Sequence, residues 1–322
     1  MKILAVDDEP LLLEAMETLL AEHGYTDFVP AFSGQAALRE IDEAEEAFDC
    51  ILLDIRMPGM DGVDLCRAIR AIPRYRKTPI MMVTSMTDRE YIDGAFLAGA
   101  TDYVNKPLDP IELKARMSVM GTLIEEQARS ALLEQQAGRQ NGSGDGPSEL
   151  AFALADPVPV QGYDRLVECR VLENYLLRLS VRDQQKVSAF VISISNAEAI
   201  FAASSPVSFL NMLADVAFCI ECALERVDTL VAYAGNGNFV VVPVGGKGSI
   251  DHAAIRARIS TELEGFTRIY QTDHLPMPEI SIGPEVSQRL FSRFRAPELI
   301  DRAIEARMHG PDVSMQAHCR GA

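Results

Sequence analysis

A chain of 322 residues, 48% of them apolar, is long enough for two ordinary domains and too apolar for a disordered one. Its formal charge is −17, about −12 of it before residue 138, and with no basic recognition helix or arginine-rich tail such a surface repels a phosphate backbone and excludes DNA binding as the output. The longest apolar runs, such as ILAV and CILL, fall far short of the ~20 residues of a membrane span, and MKILAVDDEP lacks the cleavage site of a secretory leader, so the expectation is a cytoplasmic protein without membrane insertion.

Up to residue 137, the runs KILAV, DFVPA, CILLD, PIMMVT and DYVNK alternate with the amphipathic stretches EPLLLEAMETLLAEHG, SGQAALREIDEAEE, MDGVDLCRAIRAI and DREYIDGAFLAGA. Five strands alternating with helices predict an α/β domain of the doubly wound class, a five-stranded parallel sheet covered on both faces. A last helix begins after Asp109 and Pro110, the first a good N-cap and the second suited to the first turn, and reaches about residue 136. Leu113, Met117, Met120 and Ile124 keep an a/d spacing that Gln127, Ala131 and Glu134 then weaken. The helix is therefore either a surface helix running out into a linker or a short helix that makes a homodimer.

Residues 138–148, GRQNGSGDGPS, form a flexible linker by composition. Beyond it come a helix (YDRLVECRVLENYLLRLS), a strand (KVSAFVISIS), a long helix (VSFLNMLADVAFCIECALERV), a hairpin (AYAGNGNFVVVPV), a helix (IDHAAIRARISTELEG), a short strand (PEISIG) and a closing helix (APELIDRAIEARMHG). Antiparallel strands mixed with helices read as an α+β domain. Asn236-Gly237 between two β-branched runs is a tight-turn signal, with an exposed tip that holds nothing ionisable. Of the six cysteines, Cys219 and Cys222 are the one close pair, and no second pair completes a zinc site. The expected divisions are 1–122, a helical extension and linker over 123–162, 163–310, and a tail over 311–322.

In a parallel α/β sheet, ligands bind at the carboxyl ends of the strands. Asp7 and Asp8 end the first strand and Asp54 ends the third, where a buried run meeting a carboxylate is costly. Three converging acids repel one another and need a cation, and Mg²⁺ suits them because it takes hard oxygen ligands. Thr84 closes the fourth strand with a hydroxyl, and Lys106 follows the fifth with an ammonium. Singly, each has a plain structural use: Thr84 as a β-former, Lys106 as a surface charge, the paired aspartates as a helix cap. Jointly, they make a nucleophile, a metal site, a hydroxyl and a cation around a transferred phosphoryl group.

VDDEP, ILLDIRMPGMDG, MMVTS and DYVNKP resemble the receiver domain of two-component response regulators, over residues 1 to about 122. The resemblance implies a flavodoxin-like fold and an Asp54 that accepts a phosphoryl group from a sensor histidine kinase or a phosphotransfer protein. It implies Mg²⁺ between Asp7, Asp8, Asp54 and the Arg56 backbone carbonyl, with Thr84 and Lys106 on the phosphoryl oxygens. Tyr103 would be the aromatic switch, turning inward on phosphorylation, and the Lys106–Pro107 peptide would be cis. The large residues Arg56 and Met86, each two positions beyond a site residue, would hinder water and lengthen the life of the acyl phosphate.

The second domain resembles, more faintly, the GGDEF diguanylate cyclase domain. Gly235, Asn236, Gly237, Asn238 and Phe239 stand where the signature falls, and SIG (281–283) and IDRAIEARMHG resemble the closing motifs. The departures share a direction. Ser193 and Ser195 replace the strand acids, Gly237 and Asn238 the signature acids, Glu198 falls near a lysine, and Arg226 to Thr229 is an incomplete inhibitory motif. The expectation is a degenerate, catalytically inactive domain that contacts an unknown downstream protein. An alternative is a phosphorylation-gated receptor for cyclic di-GMP or GTP, and a third reading keeps weak cyclase activity.

Overall fold

The computed structural model describes residues 1–85, 89–140, 152–158, 160, 166–184, 186–245, 250–272, 275–287 and 298–309. Met86 and the tail over 311–322 lie outside these residues. The chain divides into two compact units, Met1–Leu150 and Ala151–Ala322.

The first unit is built on strands β1 (Lys2–Val6), β2 (Asp27–Ala31), β3 (Cys50–Asp54), β4 (Ile80–Thr84) and β5 (Asp102–Asn105). They pair in the order β2-β1-β3-β4-β5, every pairing parallel, as the alternation predicts. The central strands are buried on both faces, which is why they read as unbroken apolar runs. Between them lie helices α1 (Pro10–Ala21), α2 (Gly34–Glu43), α3 (Gly62–Arg70) and α4 (Arg89–Leu97), and α5 (Pro110–Gln140) follows β5. One face of the sheet packs Ile3, Ala5, Cys50, Leu52, Met81, Val83 and Val104 against α1 and α5. On the other face, α2 and α3 lie against β1 to β3.

Helix α3 starts where Asp61 accepts a hydrogen bond from the Asp64 amide, a side-chain N-cap. The half-buried Arg70 guanidinium at its other end donates to the carbonyls of Tyr75, Thr78 and Gly99, satisfying backbone that turns into β4 and β5. Helix α5 settles the a/d question for its first half. Leu113, Met117 and Met120 are fully buried in the unit's own core and Ile124 packs against it, so these positions form an intramolecular face and not a dimer seam. Gln127, Ala131 and Glu134 have side chains outside the described residues.

The second unit holds helices α6 (Cys169–Arg178), α7 (Val181–Gln184), α8 (Ala197–Ala203), α9 (Pro206–Leu224), α10 (His252–Glu264), α11 (Thr267–Thr272) and α12 (Glu298–His309). Its strands are β6 (Ser188–Ile194), β7 (Thr229–Tyr233), β8 (Asn238–Pro243), β9 (Ile280–Ile282) and β10 (Val286–Ser287), in the order β10-β6-β8-β7 with β9 also on β6. The pairings are antiparallel, the α+β arrangement the pattern predicts. Phe190, Ile192, Val231, Phe239 and Val241 point into a core closed by α9 and α10, and α12 packs on β6 and β8.

Two expectations need correcting. Run length misjudges α9, which is long and apolar enough to cross a membrane by length and composition. Eight of its side chains, from Phe209 to Leu224, are instead buried in the core of this unit. The hairpin also differs from a two-residue turn with an exposed tip. Its loop runs from Ala234 to Gly237, Gly235, Asn236 and Gly237 have φ of 80°, 52° and 73°, and Gly235, Gly237 and Asn238 are buried while Asn236 alone is exposed.

Candidate functional site

Register places the chemistry. Asp54 on β3 pairs with Val83 on β4, and Thr84 with Asn105 on β5, so the carboxyl ends of the three strands lie level. Asp7 and Asp8 leave the end of the adjacent β1. Oxygens of Asp7, Asp8 and Asp54 all lie within 4.8 Å of one another. Asp7 is wholly buried and Asp54 nearly so, while Asp8 faces solvent.

The Lys106 ammonium ties two of the three acids together, at 2.8 Å from Asp7 Oδ2 and 3.0 Å from Asp54 Oδ2. Its approach is set by backbone. The Lys106 amide donates to the Thr84 carbonyl at 2.8 Å, and the peptide to Pro107 is cis. Asp7 Oδ1 accepts the Glu9 amide at 2.9 Å. Its Oδ2 has no hydrogen-bond donor besides the Lys106 ammonium among the described residues.

Burial raises the Asp54 carboxyl above the ordinary carboxylate range and the charge of Asp7 adds to this, with Lys106 and the Arg56 amide pulling the other way. Burial alone would lower Lys106, but its hydrogen bonds to Asp7 and Asp54 and their charges outweigh that and hold it charged. Three carboxylates against one ammonium leave two negative charges uncompensated in a site where dielectric screening is weak. That surplus, with oxygen-only donors and a buried oxygen short of partners, fits a hard divalent cation such as Mg²⁺.

The structure therefore gathers Asp7, Asp8, Asp54 and Lys106 at one mouth. Thr84 is buried at the end of β4, next to Asp54's neighbour Val83. The Arg56 amide donates to Asp54, which brings that backbone to the rim, while its side chain is exposed. Tyr103, the expected aromatic switch, is buried on β5.

Sequence reasoning passed over two residues beneath this site. Asp102, fully buried at the start of β5, accepts the Tyr103 amide at 2.8 Å and meets Arg116 Nη1 of α5 at 3.0 Å. The signal was an acid opening a buried strand, the same oddity that marked Asp54. Gly62 was passed over too. A Cβ there would stand 2.8 Å from the Asp54 carbonyl carbon and 2.9 Å from the Ile55 Cα, and closer still to the Asp54 oxygen.

The hairpin positions of the second unit also come together, without ionised acceptors. Ser193 on β6 faces Asn238 on β8 and donates to its Oδ1 at 2.7 Å, and Arg307 of α12 donates to the same oxygen at 3.1 Å. Ser195 bonds Ser281 at 3.1 Å, the Gly237 amide donates to the Tyr233 hydroxyl at 3.2 Å, and Phe239 packs in the core.

Residues 3–118 match the family of response regulator receiver domains. The chain is 38% identical over 117 residues to the chemotaxis protein CheY of Pseudomonas aeruginosa, an alignment covering 36% of this chain and 93% of that one. It is 40% identical over 116 residues to the DNA-binding response regulator MtrA of Mycolicibacterium smegmatis, covering 36% of this chain and 48%, about half, of that relative. Among solved structures, the chemotaxis response regulator CheY4 of Vibrio cholerae shares 33% identity over 37% of this chain and 97% of its own, with a TM-score of 0.35.

Proposed function

Through residues 3–118 the chain belongs to the response regulator receiver family, and on that footing we propose that Asp54 is the phosphoacceptor of a two-component phosphorelay, charged by a histidine kinase or a phosphotransfer protein. The observation that carries the reading is the Lys106 ammonium bridging Asp7 and Asp54 beside Asp8. An Asp54 oxygen attacks the donor phosphorus, the bond from phosphorus to the donor histidine nitrogen breaks, and an acyl phosphate remains on Asp54. Lys106 and the Thr84 hydroxyl would hold the phosphoryl oxygens. Mg²⁺ held by Asp7, Asp8, Asp54 and the Arg56 carbonyl would offset the charge brought together in the pocket. Tyr103 and the α5 face would report the change.

The second unit we read as a GGDEF-like domain without cyclase chemistry, working through contacts with another protein in the cytoplasm. The Ser193–Asn238 pair supports this, since a triphosphate-bound metal needs carboxylates and these two side chains satisfy each other. Incubation of the full chain with a small-molecule phosphodonor and magnesium, followed by intact-mass measurement, tests the first part: one added phosphoryl group is expected on the native protein and none on Asp54→Ala. Undiminished labelling of Asp54→Ala would sink the proposal. Thermal shift with GTP and cyclic di-GMP tests the second part, and formation of a cyclic dinucleotide would overturn it.

A further inference from the structure

Two different segments bury the glycines of the hairpin loop. Gly237 lies against Ala197 and Ile194, whereas Gly235 is covered by residues 152–158, the first described stretch after the Gly/Ser-rich linker. The Asn236 amide at the tip donates to the Leu154 carbonyl at 2.7 Å. Gly235 has no room for a side chain, because a Cβ there would stand 2.7 Å from the Ala155 carbonyl carbon and nearer its oxygen. Phe152 lies against Phe201 of α8 and Phe209 of α9, with ring centroids 5.7 Å and 6.1 Å away. A turn in which Asp156 accepts the Ala153 amide folds the stretch onto the loop.

The attachment is shallow. Phe152, Leu154 and Val158 are half-buried, and Ala153, Ala155, Asp156 and Pro157 are exposed, whereas Val231, Phe239 and Val241 of the sheet are buried. A segment held by half-buried side chains opens locally at a much smaller cost than the sheet it lies on.

We propose that residues 152–158 are a detachable plug, an intramolecular contact that closes the Gly235 side of the hairpin loop and the Phe201–Phe209 ring pair to outside ligands. Tethering keeps the plug at high effective concentration, and any competitor binds with an apparent affinity reduced by the fraction of open molecules.

Hydrogen exchange on the full chain tests this. In the native protein the Asn236 amide exchanges slowly. Phe152→Ala speeds Asn236 at least tenfold and increases binding of a hydrophobic dye, while the Val231 and Val241 amides keep their rates. Gly235→Ala, which intrudes on Ala155 but leaves Phe152 in place, gives the same local signature. Fast exchange at Asn236 in the native protein, no change in either variant, or an equal acceleration of Asn236, Val231 and Val241 would each overturn the proposal, the last by making the segment part of the core.

Discussion

Replacing Gly62 with alanine is the most direct probe of how the fold carries the acceptor. In a helix, glycine-to-alanine ordinarily stabilises by about 0.5–1 kcal/mol. At Gly62 the sign reverses. The new methyl overlaps the Asp54 carbonyl and stands 2.8 Å and 2.9 Å from two further backbone atoms, and backbone cannot swing aside as a side-chain end can. β3 is fixed by pairing with β4, and the Gly62 amide donates to the Ile55 carbonyl at 2.8 Å, so relief must stretch that bond or the ladder. Overpacking of about 1–3 kcal/mol plus a weakened hydrogen bond of about 1 kcal/mol, less the helix gain, leaves a net loss of about 1–3.5 kcal/mol. At roughly 3–4 °C per kcal/mol for a unit of this size, the first unit should melt about 3–14 °C lower. Gly94→Ala in α4 is the control, because nothing lies within 4 Å of its Cβ, and it should melt at the same temperature or higher. Melting is followed by circular dichroism, with phosphoryl uptake measured on both variants and uptake lost in Gly62→Ala. A Gly62→Ala protein that melts at or above the native temperature refutes the reasoning.

Asp54→Asn tests the electrostatics. Because the folded state raises the carboxyl, folding takes up a proton, so ionised Asp54 subtracts from stability above its folded pKa and the deficit fades as pH falls through it. In magnesium-free buffer the variant therefore gains about 0.5–2 kcal/mol at neutral pH, and its melting temperature converges on the native one toward pH 4; a gap that widens on acidification contradicts the sign. Magnesium at a hundredfold excess over its Kd stabilises the native protein by about 2.7 kcal/mol, and Asp8→Ala, which alters an exposed side chain, abolishes that gain while leaving the metal-free melting point in place. Arg116→Met removes the ion pair from the buried Asp102 carboxylate and costs about 3 kcal/mol, and adding Asp102→Asn, which keeps an acceptor for the Tyr103 amide, restores most of it; urea titration of the single and double variants decides this.

Asp7, Asp54, Thr84 and Lys106 were legible because each follows a strand whose apolar run marks its own end, and parallel pairing brings such ends level. What escaped the sequence depends on partners far along the chain. Asp102 and Arg116 meet only once α5 has packed on β5, and Arg307 reaches Asn238 only when α12 lies across β6 and β8. The a/d spacing of Leu113, Met117 and Met120 was ambiguous because one apolar stripe serves equally for a partner helix or for the helix's own sheet. Asn236 keeps the exposure that a turn signal predicts, but the cover on Gly235 comes from well upstream, and a turn signal says nothing about what lies against the turn.

Asn238 accepts from Ser193 and Arg307 where β6 meets the hairpin. Among the described residues, the acids grouped closely enough to share a divalent cation are Asp7, Asp8 and Asp54, all in the first unit. A magnesium titration read amide by amide becomes a dissecting tool that separates the halves without cutting the chain.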